Sequence, residues 1–211
     1  MQSSPRRLPR GRHALSRAEV ERVHRDRLCS AMAAAMAEKG YVGTSVEDVL
    51  KRARVSRQSF YALFSSKLDC FMTAFDQASE FLRLHLADTV ASAGASEGDP
   101  AERFERAFTT YLETLALDPG YARLFLVEVY AAGPEAVRRR TEVQHMLAEG
   151  LADLMGVTGD AGRFACQIVV SAVSTMVTPA VAAGDMEALR AVGPPVIEHV
   201  RLLLRSGVLD G

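Results

Sequence analysis

Apolar side chains recur at spacings of three and four along most of this chain, and no segment sustains the two-residue alternation of a strand. The pattern predicts an all-α protein without internal repeats. Leu28, Ala31, Met32, Ala35 and Met36 make the first apolar stripe. Its helix opens at Ser16-Arg17-Ala18-Glu19, where the Ser16 hydroxyl can accept the third helical N–H and Glu19 can reach back to the cap. It is expected to stop after Lys39, because Gly40 tolerates a left-handed ending. Thr44-Ser45-Val46-Glu47 reads as a second capping box, Ser56 caps a short third helix, and Ser66-Lys67-Leu68-Asp69 opens a fourth that runs to about Ala93. Asp99-Pro100 and Asp118-Pro119 each set an N-cap before a proline at the first helical position. Gly133-Pro134 ends one helix and begins another that reaches about Met155. A long apolar helix is predicted from about Asp160 to Ala183. A last one follows Pro194-Pro195, with Val196, Ile197, Val200, Leu203 and Leu204 on one face.

Charge divides this helical chain in two. Residues 1–67 carry 14 Lys+Arg against 6 Asp+Glu, a net +8, whereas residues 68–211 carry 11 against 20, a net −9. Segregation of that size aims the N-terminal part at a polyanion and leaves the remainder soluble. The division suggests a basic arm over 1–15, a small helical unit over 16–67 and a larger one over 68–211. The arm holds Arg6, Arg7, Arg10 and Arg12 among Pro5, Pro9 and Gly11, without apolar periodicity and without the apolar run of a secretory signal. Three cysteines (Cys29, Cys70 and Cys166) lie far apart in sequence, match no metal-ligand spacing and suit a reducing cytoplasm. Residues 164–184 are uncharged over 21 positions, about the length of a membrane span. Gln167, Ser171, Ser174, Thr175, Thr178 and Pro179 interrupt that run, so a helix buried on most sides by other helices is the better reading.

The candidate chemistry concentrates between Thr44 and Lys67. A support helix over 46–53 and a second helix over 56–63, joined by a tight turn, can place the second in a DNA major groove. Val46, Val49, Leu50, Ala53, Val55, Phe60 and Phe64 point inward, leaving Arg57, Gln58, Ser59 and Tyr61 outward. Arginine forks onto guanine and glutamine onto adenine, while Ser and Tyr hydroxyls suit phosphate oxygens. Thr44 and Lys67 lie at helix N-termini, where free N–H groups favour phosphate. Any three-helix bundle shows a charged outer face; the local charge and the basic arm tip this one toward DNA.

Arg27-Leu28, Ala31, Met36, Glu38-Lys39-Gly40-Tyr41, Thr44-Ser45-Val46, Val49, Ala53, Val55-Ser56, Phe60-Tyr61, Phe64 and Ser66-Lys67 fall in register without a gap. On these residues, 27–72 resemble the DNA-binding domain of the TetR family of bacterial transcriptional regulators. The resemblance implies base contacts from Arg57, Gln58 and Ser59, phosphate contacts from Tyr61 and Lys67, and backbone support from Thr44 and Ser45. Arg10 and Arg12 could enter a flanking minor groove. The pattern departs from the family at Arg54, where glycine is common, at Gln58, and at Ala62-Leu63. A left-handed Arg54 would cost about 1–2 kcal/mol.

Beyond residue 72 the resemblance implies a helical regulatory domain with a small-molecule pocket, and a homodimer formed by the helices at about 160–183 and 196–208. Candidate pocket residues are Phe75, His85, Phe104, Phe108, Tyr111, Phe125, His145 and Phe164, with Tyr130 and Met155 nearby in type. Arg138-Arg139-Arg140 reads as a solvated face. The histidines form no ligand or triad spacing, so neither catalysis nor a metal or other cofactor is expected. The implied protein is a cytoplasmic, ligand-responsive repressor of a pseudo-palindromic operator. The alternative is a helical ligand-binding protein or bundle enzyme without DNA binding.

Overall fold

The computed structural model describes residues 16–92 and 99–209, and among these every regular element is helical. In order they are α1 (Arg17–Gly43), α2 (Val46–Ala53), α3 (Arg57–Leu63), α4 (Lys67–Ser92), α5 (Pro100–Leu117), α6 (Pro119–Arg123), a π-turn (Leu124–Glu128), α7 (Val129–Ala132), α8 (Pro134–Met155), α9 (Asp160–Ala183), α10 (Met186–Ala191) and α11 (Gly193–Arg205). Helical dihedrals at Leu124 and Val129 join α6, the π-turn and α7 into one rod. Ala93, the expected end of the fourth helix, lies outside the described residues.

Most boundaries follow from local capping. Ser16 and Glu19 form the expected reciprocal box, Asp99 and Asp118 accept N–H groups ahead of their prolines, and Gly133 separates α7 from α8. The second capping box is shifted by one residue from the expected Thr44–Glu47. Ser45 accepts from Asp48 N–H (3.2 Å) and its own N–H donates to Asp48 (2.9 Å). Thr44 is buried instead, its hydroxyl donating to the Gly40 carbonyl at 2.7 Å. Helix α10 was not expected; Asp185 caps it by accepting from Ala188 N–H at 2.8 Å.

A continuous core runs through the molecule. Leu28, Met32, Met36, Val49, Phe60, Phe64 and Phe71 close the α1–α3 bundle onto the start of α4, and all are fully or almost fully buried. Each large side chain of this kind contributes about 1.5–3 kcal/mol by leaving water. The middle of α1 also packs on α6 and the π-turn, so the small bundle and the larger helical part share one core.

One expectation needs correction, and another is met within the chain only in part. Arg140 is not on a solvated face: it is 8% exposed, lodged between α8 and α9, while Arg139 makes the surface ion pairs with Asp76 and Glu142. Residues 136, 140 and 143 share one face of α8, and Ala136 and Val143 are buried on it. Within one chain, helix α9 is not covered on most sides. It is long and apolar enough to cross a membrane, yet only 33% of its most apolar window is buried within the chain. It packs along α8 on one side and leaves Phe164 and Ile168 63% and 53% exposed on the other.

Candidate nucleic-acid interface

Helices α2 and α3 meet through Arg54, which adopts φ 54° and ψ 45°. It is the one non-glycine residue with positive φ among those described. The turn therefore keeps the left-handed geometry and places a β-carbon where glycine would be unstrained. Arg54→Gly is expected to stabilise the fold by about 0.5–1 kcal/mol, the left-handed cost less the added freedom of an unfolded glycine. Urea unfolding checks this, and an unchanged or lower midpoint would mean that the arginine side chain contributes an offsetting contact in the free protein.

Ser56 caps α3 by accepting from Ser59 N–H at 3.0 Å, and the two hydroxyls lie 2.9 Å apart. Phe60 anchors the inner face between Tyr61 and Phe64. Arg57, Gln58 and Tyr61 stand on the exposed side, with Ser59 half-buried beside them. Arg57 reaches Glu47 of α2 at 3.2 Å, and Lys51 approaches the same carboxylate at 3.9 Å. Such solvent-exposed pairs are weak, so Arg57 is held in place yet can exchange Glu47 for another acceptor. Lys39 pairs with Asp48 at 2.5 Å, and Arg52 pairs with Glu38. The Lys39 bond, with Ser45, holds the Asp48 carboxyl well below the usual carboxylate range.

Lys67, the first residue of α4, points back into the fold. Its ammonium donates to the carbonyls of Tyr41 and Thr44 at 2.9 Å each and lies 4.0 Å from the Tyr41 ring centre. Burial lowers its pKa from the ordinary lysine value. Two of its three donors are thus committed to closing the end of α1, and one remains for a phosphate. Tyr41 is held from the other side as well: its N–H donates to Glu128 of the π-turn at 2.8 Å. Glu128, only 6% exposed, also accepts from Arg123 at 3.1 Å, and Arg123 donates to the Ala182 carbonyl near the end of α9 at 2.6 Å. One polar chain therefore links α9, the π-turn, the end of α1 and the start of α4. Sequence reading missed it, although a lone acid in the apolar run 124–129 was a signal. Arg10 and Arg12 lie outside the described residues.

The residues expected to line a pocket are distributed over several places. Phe75 stacks on Phe125 (5.0 Å between ring centres), and Phe104, Phe108 and Tyr111 form a ladder along α5 (5.4 and 6.2 Å). Phe125 also borders a narrow apolar cleft between α4, α5 and α6, with Phe81, Leu82, Leu115 and Tyr121. His85 is half-buried, paired with the Phe81 carbonyl at 2.9 Å and packed on its ring. His145 is exposed and lies 3.1 Å from Gln167. Phe164 faces outward from α9, in an open depression with Ile168, Ser171 and Met176. Cys29 and Cys70, distant in sequence, are buried side by side as free thiols, and that contact together with burial pushes Cys70 up.

Residues 28–73 match the family model described as bacterial regulatory proteins, tetR family. No curated protein matches the chain significantly in sequence. Among solved structures the fold is similar to the fatty acid degradation regulator FadR from Bacillus halodurans, with 22% identity, a TM-score of 0.67, and 82% of this chain and 92% of that one covered. It is similar to a TetR family transcriptional regulator from Agrobacterium tumefaciens at 19% identity and a TM-score of 0.67, covering 85% and 98%. FadR from Bacillus subtilis, in complex with stearoyl-CoA, aligns at 19% identity and a TM-score of 0.61, covering 82% and 95%.

Proposed function

From the premise that residues 28–73 are the DNA-binding domain of the tetR family of bacterial regulatory proteins, we propose that the chain is a cytoplasmic, ligand-responsive transcriptional repressor. It acts as a homodimer on a pseudo-palindromic operator. The observation that carries this reading is the exposed face of α3, where Arg57, Gln58 and Tyr61 project from a helix fixed by the Ser56 cap, the Arg54 turn and buried Phe60. Arg57, Gln58 and Ser59 read base edges, the Tyr61 hydroxyl and the Lys67 ammonium bind phosphate oxygens, and the arm residues Arg10 and Arg12 enter the flanking minor groove. Thr44 and Ser45 set the start of α2.

Two reading helices need a two-fold partner to meet successive grooves. The apolar side of α9 (Phe164, Ile168 and Met176), together with Leu202 of α11, supports a dimer through these helices. The Bacillus subtilis regulator with stearoyl-CoA supports reading the helical domain as the effector site. A bound effector favours a dimer whose two α3 helices are wrongly spaced, and operator affinity falls by linkage. Helix α4 and the Arg123–Glu128–Tyr41 bonds carry that change of spacing.

Titration of the purified protein against the DNA upstream of its own gene tests the reading. Salt-sensitive, sequence-selective binding is expected; a helical protein without DNA binding would show neither. In the same assay Arg57→Ala is expected to cost about 1–3 kcal/mol and to relax base preference at one position per half-site. Lys67→Ala is expected to weaken all sequences alike. Identical profiles for the two variants across operator changes would overturn this division of roles.

A further inference from the structure

Arg140 is the unusual charge of the helical domain. It sits where α5, α7, α8 and α9 meet, with Tyr111 within electrostatic range and Tyr130 stacked over its guanidinium at 5.1 Å. Its protein partners are neutral: Nη1 donates to Gln144 at 3.2 Å and Nη2 to the Ser174 hydroxyl at 2.6 Å. No carboxylate among the described residues pairs with it, and its Nε–H, fully buried, has no acceptor. A guanidinium taken out of water without a counter-charge is costly, and an orphaned buried donor adds to that cost. Arginine is also the side chain whose Nε and Nη2 edge matches both oxygens of a carboxylate.

We propose that Arg140 anchors a binding site for an apolar small molecule bearing a carboxylate, seated between α8 and α9. The carboxylate bridges Nε–H and Nη2–H, and the Ser174 hydroxyl turns to donate to it. The body of the molecule inserts between these helices, where Val143 on α8 and Val173 and Val177 on α9 are buried and move apart to admit it. Tyr130 is the gate: it covers the guanidinium yet is itself 57% exposed, so its rotation uncovers the charged group. This rests on the reading of the helical domain as an effector site, and names the chemistry of that effector. The Ser174 contact also ties the site to α9, which reaches Arg123 and Glu128 through Ala182.

The test uses full-length protein at constant ionic strength, with sodium benzoate and sodium octanoate compared with benzyl alcohol and octanol. The carboxylates are expected to raise the thermal midpoint of the wild type at concentrations about tenfold or more below those at which the alcohols do so. They are also expected to move the Arg140 Nε–H resonance. Arg140→Met is expected to fold, since an apolar replacement of a buried unpaired charge is commonly tolerated, and to lose the preference for carboxylates. A wild type that shows no preference for the carboxylates and an unmoved Nε–H resonance would overturn the site, as would a preference that survives in Arg140→Met. An acid supplied by a second copy of the chain would give that unresponsive resonance and counts against the proposal. Should Arg140→Met fail to fold, the wild-type resonance decides alone. Repeating the titration on the operator complex separates the two readings. Release by alcohols and carboxylates alike keeps the regulator and removes the anion site. Carboxylate binding through Arg140 by a protein that never binds its upstream DNA keeps the site and removes the regulator.

Discussion

Gly40→Ala is expected to lower stability by about 2–4 kcal/mol, through two costs that fall on the same added methyl. Gly40 interrupts α1 at φ 68° and ψ 174°, an extended conformation with positive φ that only glycine adopts without strain. The new β-carbon would also stand 3.0 Å from one Glu128 carboxylate oxygen and 3.3 Å from the other. That carboxylate cannot retreat freely, because it accepts from Tyr41 N–H and from Arg123. Either the strained dihedral persists with a displaced Glu128, or α1 straightens and carries Tyr41 and Thr44 away from Lys67. Both routes loosen the start of α2, so operator affinity is expected to fall along with stability. Chemical denaturation at fixed protein concentration measures the first effect. A loss below about 0.5 kcal/mol, the size of an ordinary surface substitution, would show that the bend is not held by glycine and Glu128 together.

The parts legible in the sequence were those set by neighbours in sequence. The limits of α2 and α3 follow from Ser45, Ser56 and the apolar residues Val49, Ala53 and Phe60, all within a few positions of each other. The one-residue error at the second capping box has the same origin. Thr44 and Ser45 can both cap, Glu47 and Asp48 can both answer, and only the burial of Thr44 under the Gly40 bend decides between them. Arg140 was misread because three consecutive arginines look like a charged surface; its place on the face of Ala136 and Val143 was the better clue. The outward side of α9 is only partly legible, because apolar content does not say whether the covering surface comes from the same chain. Aromatic spacing along α5 likewise does not separate a packed ladder from a pocket wall, and Phe104, Phe108 and Tyr111 stack on one another. The role of Glu128 depends on contacts 87 residues apart, which no local pattern encodes.

Glu128→Ala is expected to cost about 2–4 kcal/mol, below the full penalty for breaking a buried ion pair because Arg123 keeps some access to water. Removing the carboxylate leaves the Tyr41 N–H without an acceptor and leaves Arg123 with the Ala182 carbonyl alone. Glu128→Gln keeps the shape and one acceptor oxygen, so it retains the bond to Tyr41 N–H or to Arg123 but not both, and is expected to lose about 1–3 kcal/mol. A clear loss in Glu128→Gln separates a bridging role from simple packing, for which the nearly isosteric glutamine would be neutral. A double-mutant cycle with Arg123→Ala then isolates the pair: a coupling near zero would mean that Glu128 serves Tyr41 alone. Hydrogen exchange supplies the second readout. In Glu128→Ala the Tyr41 amide is expected to lose protection, and amides of α2 next to Thr44 to follow, while the α5 ladder stays protected. If Tyr41 exchanged as slowly in the variant as in the wild type, the contact between π-turn and α1 would not be what holds the two parts in register. Loss at Tyr41 and α2 alone would place the joint between the larger helical part and the α1–α3 bundle at this one carboxylate, since Lys67 on the far side grips the carbonyls of Tyr41 and Thr44.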